Sequence, residues 1–151
     1  MVNEILKHQD ESALCVVNTI SKAKKLYEAL KNSGKRSVYL LTTHQIPLHR
    51  VQIIDEIKEK LEGGDKITIV ATQLIEAGVD LSFDVGFREF APIGAIIQAA
   101  GRVNRNATSS KPAKVVVFDY IDSETFPYHD IDLQEEKVKD CLLYTSPSPR
   151  D

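Results

Sequence analysis

The sequence predicts an α/β fold in which a mainly parallel sheet is flanked by helices in three layers. Three observations predict it. Strand-like and helix-like segments alternate from Ala13 to Tyr120. Several strand-like segments are continuous apolar runs, the pattern of strands buried on both faces. The helix-like segments carry their apolar residues on one side, as helices packed on a sheet do. With right-handed crossovers, the loops that follow the strands lie along one edge, where open sheets of this kind bind ligands.

Each element has its own local warrant. Ala13 to Val17 is a short apolar run and reads as the first strand. Thr19 or Ser21 then caps a helix. Its face is Ala23, Leu26, Tyr27 and Leu30, and Gly34 is placed to end it. Ser37 to Leu41 is the second strand. Pro47 opens the next helix at its first position. Leu48, Val51, Ile54, Ile57 and Leu61 form its predicted apolar stripe, and Gly63 and Gly64 stop it. Ile67 to Ala71 is the third strand, followed by a polar, Gly-bearing turn region from Thr72 to Asp84. Val85 to Phe90 is the fourth strand. Ile93 to Val103 reads as a helix opened by the Ala91-Pro92 turn, and the Val-rich segment Lys114 to Tyr120 as the fifth strand. Asp130 to Lys139 reads as a short helix. Proline density in Ser146-Pro147-Ser148-Pro149 excludes a helix or central strand there.

Composition narrows the function classes. The 151 residues suit one compact domain, and a hydrophobic fraction of 42% supports a core. The formal net charge of -3 argues against coating nucleic acid by bulk charge, while leaving room for a local phosphate-binding patch. No apolar run is long enough for a membrane span, and the start Met1-Val2-Asn3-Glu4 is not a signal peptide. Cys15 and Cys141 read as two free thiols in a reducing cytoplasm. His8, His44, His49 and His129 are scattered and form no metal-ligand set with the cysteines.

Two segments carry chemistry. In Gln98-Ala-Ala-Gly-Arg-Val-Asn-Arg105, Arg102 and Arg105 are three apart and project from nearby positions on one helical turn. A guanidinium is planar, always charged and suited to bidentate phosphate contact. An arginine aimed at a γ-phosphate stabilises charge in phosphoryl transfer. An isolated pair of this kind is more often a solvated helix face, but the whole Q-x-x-G-R-x-x-R run after a strand is far more specific. The second segment is Thr72-Gln-Leu-Ile-Glu-Ala-Gly-Val-Asp80. It follows a buried strand and so falls on the ligand edge. A threonine hydroxyl and free backbone N–H groups bind nucleic-acid phosphate. Asp80 can accept from a ribose hydroxyl or order water near a nucleotide. A capped turn, with Thr72 as the cap and Gly78 as the turn glycine, explains the same residues.

Ile69 to Asp80 resembles helicase motif V, and Gln98 to Arg105 resembles motif VI, both from the second RecA-like (P-loop NTPase type) lobe of superfamily 2 helicases. Leu41-Thr-Thr-His-Gln-Ile-Pro-Leu-His-Arg50 and Arg88-Glu-Phe-Ala-Pro92 resemble the helicase portion of the type I CRISPR-associated helicase-nuclease. The resemblance covers about Ala13 to Tyr120. It implies that Arg102 and Arg105 are arginine fingers reaching ATP on a partner lobe, and that Gln98 positions the γ-phosphate or the attacking water. It implies that Asp80 sits close to the nucleotide and that Gly78 shapes that loop. It also implies that Thr72 and Gln73, with Asn18-Thr19 and Thr42-Thr43, meet the backbone of single-stranded DNA. His49 and Arg50 match a motif, though an opening helix turn accounts for them as well.

The implied cofactor is ATP with Mg²⁺, held mainly by a first lobe that this sequence lacks, since it has no G-x-x-x-x-G-K-[ST] loop and no Asp-Glu pair in a Walker B setting. The implied partners are single-stranded DNA, a first helicase lobe and a His/Asp metal-dependent nuclease domain in the same protein, and the CRISPR surveillance complex. Ala107 stands where the family often has glycine. The lobe is assigned to residues 1–139. The ending Cys141-Leu-Leu-Tyr-Thr-Ser-Pro-Ser-Pro-Arg-Asp151 is similar to a recurring translated adaptor fragment, so residues 140–151 are expected to be a non-native or disordered tail. The natural protein is then expected to continue past about Lys139. Two other readings remain open from the sequence: a lobe of another superfamily 2 RNA helicase or restriction translocase, and a non-catalytic nucleic-acid-binding module.

Overall fold

Apolar runs on successive strands pair in register to build the centre of the molecule. The computed structural model describes residues 1–72, 80–105 and 114–119. The strands are β1 (Ala13–Val16), β2 (Val38–Leu41), β3 (Thr68–Ala71), β4 (Val85–Glu89) and β5 (Lys114–Phe118). They form one sheet in the order β2-β3-β1-β4-β5, and every neighbouring pair is parallel. β1, β3 and β4 are buried along their whole length, whereas the edge strands β2 and β5 are only partly covered. This is the α/β parallel sheet that the continuous apolar runs predict.

Strand side chains alternate between faces, so each strand feeds two cores. Ala13, Cys15 and Val17 join Phe87, Val116, Leu26 and Leu30 on one face. Leu14 and Val16 join Ile57, Ile67, Ile69 and Phe83 on the other. The first face is covered by α1 (Val2–Leu6) and α2 (Ile20–Asn32), the second by α3 (Pro47–Glu62). Gly86 points opposite to Val85 and Phe87, and its nearest neighbour is Val103 just after α4 (Ile93–Ala100), so α4 shares the second face. Burial keeps the Cys15 thiol neutral by pushing its pKa far up, with the Glu89 charge adding to the effect.

Local signals act where the sequence places them. The Thr19 side chain accepts a hydrogen bond from the Lys22 N–H and caps α2. Pro47 is at the start of α3. Gly34, just past the end of α2, has φ +63, a conformation that side chains with a Cβ resist. One element went unpredicted and two expectations need correction. The five-residue α1, with Ile5 fully buried, is too short to show a helical period. The stripe assigned to α3 fails in its first turns: Leu48 and Val51 are 66% and 55% exposed, while Ile57 is fully buried. Finally, α4 stops at Ala100 rather than Val103. The expected Asp130–Lys139 helix and the 140–151 tail lie outside the described residues.

At the N-terminal edge of the sheet, a polar staple fixes the start of β1 to the start of β4. The Asp84 carboxylate accepts from the Ser12 N–H at 2.7 Å, the Ser12 hydroxyl at 3.0 Å and the Lys66 ammonium at 3.0 Å. Partial burial pushes its pKa up, but the Ser12 and Lys66 bonds outweigh this and hold it below the usual carboxylate range. The carboxylate therefore stabilises the fold above its unfolded pKa, and this contribution is lost as pH falls through its lowered folded value. Asp84→Asn is expected to cost about 1 kcal/mol at neutral pH, a modest figure because the group is partly solvated. Urea denaturation should show the gap between variant and wild type narrowing below about pH 4. A gap independent of pH removes the carboxylate charge as its cause.

Candidate functional site

The sequence-predicted site residues divide between two opposite edges of the sheet. At the C-terminal edge, β1 ends at Val16 and continues into Asn18 and Thr19, both exposed. β2 ends at Leu41 and continues into Thr42 and Thr43. Thr42 is buried, and its N–H donates to Gln45 Oε1 at 3.1 Å, while Thr43 is exposed in the turn. β3 ends at Ala71 and continues into Thr72, whose N–H donates to the Leu41 carbonyl at 3.2 Å. The Thr72 hydroxyl is buried and has no partner among the described residues. The threonines thus line up across adjacent strand ends, joined by the N-terminus of the 13-residue α2. Partial positive charge at a helix N-terminus favours phosphate there.

Asn18 is held differently from its neighbours. Its side-chain Oδ1 accepts from Arg88 at 2.8 Å, its Nδ2 donates to the Phe90 carbonyl at 2.9 Å, and its N–H donates to the Glu89 carboxylate. Its polar groups are therefore turned to internal bonds, leaving Thr19 and Thr43 as the threonines open to solvent on this edge.

The second group gathers at the N-terminal edge. α4 starts at the C-terminal edge after β4 and runs back along the sheet. Beyond it the chain turns to pair with Phe83, just before β4: the Phe83 N–H donates to the Arg102 carbonyl at 3.0 Å, and the Asn104 N–H to the Phe83 carbonyl at 2.7 Å. Arg102 and Arg105 consequently lie past the helix, not on a helical turn as their spacing suggested. Gly101 is the C-cap, and Asn104 has φ +49, a left-handed conformation that asparagine tolerates. Arg105 Nη1 stands 3.5 Å from Asp80 Oδ1, with both side chains largely exposed. Gln98 is exposed on α4. The expectation that Thr72 through Asp80 shares one ligand edge fails: Thr72 is at the C-terminal edge, and Asp80 is beside Leu81–Phe83 at the other. Gln73 and Gly78 lie outside the described residues.

A cleft of about 400 Å³ opens beside Asp80, with Lys58, Glu62, Asp65, Lys66 and Asp84 in its walls. Carboxylates outnumber ammonium groups in that lining, so it repels a polyphosphate. Arg102 and Arg105 are not part of that lining. Among the described residues, no group of three or more His, Cys, Asp or Glu side chains is assembled to hold a metal, and no helix is long and apolar enough to cross a membrane.

Sequence reasoning missed the buried charges at the end of β4. Arg88 and Glu89 are 7% and 3% exposed. Arg88 Nη1 donates to the Val16, Asn18 and Glu89 oxygens, and the Glu89 carboxylate takes the Lys22 ammonium as well as the Asn18 N–H. Burial lowers the Arg88 pKa, with the Glu89 charge opposing the shift. The available signal was an Arg-Glu pair closing an otherwise apolar strand, because buried charges must find partners.

Residues 9–108 match the family model described as CRISPR-associated nuclease/helicase Cas3, C-terminal. The chain belongs to this Cas3 C-terminal family. A Cas3 nuclease/helicase of Methanothermobacter thermautotrophicus is 31% identical over 127 residues, covering 82% of this chain and 15% of that protein. A Cas3 homologue of Myxococcus xanthus is 30% identical across 100% of this chain and 20% of its own length. The chain thus spans only a small part of these Cas3 relatives. Among solved structures, T. fusca Cas3-ATP superposes with a TM-score of 0.70 at 23% identity, covering 97% of this chain and 19% of that one. Domain 2 of the DEAD-box helicase Mss116p, bound to an RNA duplex, gives 0.63 at 16% identity, covering 77% and 47%. At these identities the structural likeness establishes the fold, that of a RecA-like helicase C-terminal lobe. The fold is thus the RecA-like one that the resemblance to motifs V and VI implies.

Proposed function

We propose that this lobe is the second motor lobe of an ATP-dependent DNA helicase of type I CRISPR interference. In this reading Arg102 and Arg105 reach ATP bound on a first lobe, and the threonine edge tracks single-stranded DNA. The observation that carries it is the course of α4, which starts at the C-terminal edge of the sheet, the edge that holds the strand-end threonines, and leads to the segment of Arg102 and Arg105 at the other edge, where Arg105 meets Asp80. One short helix, about 12 Å long at 1.5 Å per residue, then spans the two sites a translocating motor must couple.

The residues present suit half of an ATP site. Arg102 and Arg105 supply cations, and Gln98 on the preceding helix α4 supplies an amide for the γ-phosphate or its attacking water. Asp80 orients Arg105 through their contact. ATP with Mg²⁺ is held mainly by the first lobe in this reading, because the sequence has no G-x-x-x-x-G-K-[ST] loop of its own. ATP hydrolysis supplies the free energy for movement. The arginines translate it into closure through different affinities for the lobe in its ATP and ADP states. The first lobe, a nuclease domain and the surveillance complex that delivers the DNA complete the proposed assembly in the cytoplasm. Residues 1–139 form the lobe in this reading, and Thr72 and Gln73 extend the DNA edge.

The DNA edge is tested in the intact enzyme with Thr19→Asp combined with Thr43→Asp. Aspartate keeps the α2 cap yet sets carboxylates against a phosphate backbone. The KM for single-stranded DNA in the ATPase assay is expected to rise by about tenfold or more, because charged hydrogen bonds are replaced by repulsion. The KM for ATP should stay within about twofold. A folded double variant with an unchanged DNA KM removes the strand from this edge.

A further inference from the structure

The buried charges at the end of β4 lie between the two proposed sites and belong to neither. Glu89 and Arg88 close β4 immediately before the Phe90–Pro92 turn into α4. Through them the turn is tied to the β1–α2 turn: Glu89 holds the Asn18 N–H and the Lys22 ammonium, Arg88 holds the Val16 carbonyl and Asn18 Oδ1, and Asn18 Nδ2 holds the Phe90 carbonyl. These partners are 67 to 72 residues apart in sequence, so the network is tertiary. Glu89 is almost fully buried, so its ion pair is poorly screened by solvent. The other end of α4 is also fixed, by the backbone bonds between Phe83 and Arg102–Asn104. The Asn18–Thr19 turn and the start of α4 are thus linked through buried side chains, and α4 leads on to the segment of Arg102 and Arg105.

We propose that Glu89 and Arg88 are positioning residues that couple occupancy of the DNA edge to placement of the arginine pair, with α4 as the strut between them. Both side chains are buried and turned to partners within the lobe, so neither is assigned a contact with ATP or DNA. Glu89 acts through the backbone of Asn18 and through Lys22; Arg88 acts through the Asn18 side chain and the Glu89 carbonyl. The inference rests on the proposed motor function and adds the physical link between its halves. Its signature is a loss of communication: DNA still binds and ATP is still hydrolysed slowly, but the first no longer accelerates the second.

The test uses the intact enzyme with Glu89→Gln, which keeps the side-chain volume and removes the charge, and separately Lys22→Gln, which breaks the same ion pair from its more exposed side. Three quantities are read: ATPase without DNA, ATPase with saturating single-stranded DNA, and DNA affinity without nucleotide. In both variants the stimulation by DNA is expected to fall by about fivefold or more, the range of an ordinary coupling between sites. DNA-free ATPase and DNA affinity should stay within about twofold. If Glu89→Gln unfolds, Lys22→Gln decides the question by itself. Undiminished stimulation in a folded variant, or equal loss of DNA-free and DNA-stimulated rates, overturns the coupling. A wild-type enzyme that DNA does not stimulate overturns the motor function and the coupling together, which separates the two failures.

Discussion

Replacing Arg102 or Arg105 with alanine in the intact enzyme is expected to reduce DNA-stimulated ATP turnover by about 100-fold or more. Guanidinium groups aimed at a transferring phosphoryl group are worth large factors in rate, because they meet charge that develops in the transition state. The loss should appear in kcat rather than in DNA affinity, since the arginines sit at the sheet edge opposite the threonines. It should also leave folding nearly intact for Arg105. The Arg105–Asp80 pair is 3.5 Å apart with side chains 46% and 65% exposed, and such pairs add little to stability. For Arg102, the bond that docks this segment to Phe83 uses the backbone carbonyl, which alanine retains. Steady-state ATPase with saturating DNA, beside a thermal melt, reads both properties. DNA-stimulated turnover within a few-fold of wild type in both variants would sink the assignment of fingers to this pair.

Gly86→Ala is expected to damage stability and activity together, through one methyl group. A Cβ at Gly86 would lie 2.7 Å from Val103 Cγ2 and 3.4 Å from Val115 Cγ2. The first separation is well inside contact distance, and Val103 is a short, stiff, β-branched side chain that cannot swing away. The backbone carrying it must move instead, and that backbone holds Arg102 and leads to Arg105. Overpacking of this kind costs about 1–3 kcal/mol. Turnover should drop by more than the unfolded fraction explains, because the surviving folded molecules present displaced arginines.

Val103→Ala opens the space that the methyl group added by Gly86→Ala needs. The double variant is therefore expected to be more stable than the sum of the two single losses, by roughly 1 kcal/mol in a double-mutant cycle. Urea denaturation of the four proteins measures this directly. Additive losses would place the strain of Gly86→Ala somewhere other than Val103.

Much of the fold is legible residue by residue. β1 and β3 are apolar runs because both of their faces are covered, and that pattern needs no partner to be read. Thr19 caps α2 and Pro47 opens α3 for reasons internal to one helical turn. The chemistry is equally local: Arg102, Arg105 and Gln98 announce phosphate work by residue type and spacing. The misreadings come from features that spacing cannot carry. Leu48 and Val51 repeat with helical period yet stand 66% and 55% exposed, because amphipathic spacing cannot report whether anything lies above a given turn. Ile93 to Val103 reads as one helix, with Arg102 and Arg105 at nearby positions on one turn. Only its pairing with Phe83 ends the helix early and sends both arginines into a separate segment.

By itself, then, the sequence determined the five strands, the three helices that lie between them, their order, the parallel sheet and the family, since periodicity, capping and motif spacing act over a few residues. The tertiary structure decided which of those residues meet. Strand order set β1 between β3 and β4, and this brought Asn18 to Glu89 across 71 residues. The same arrangement separated Thr72 from Asp80 and set the two ends of α4 at opposite edges of the sheet. Contacts of that kind depend on long-range strand pairing and the burial it permits. A buried Arg-Glu pair can show that it needs partners, but only the packed sheet determines who they are.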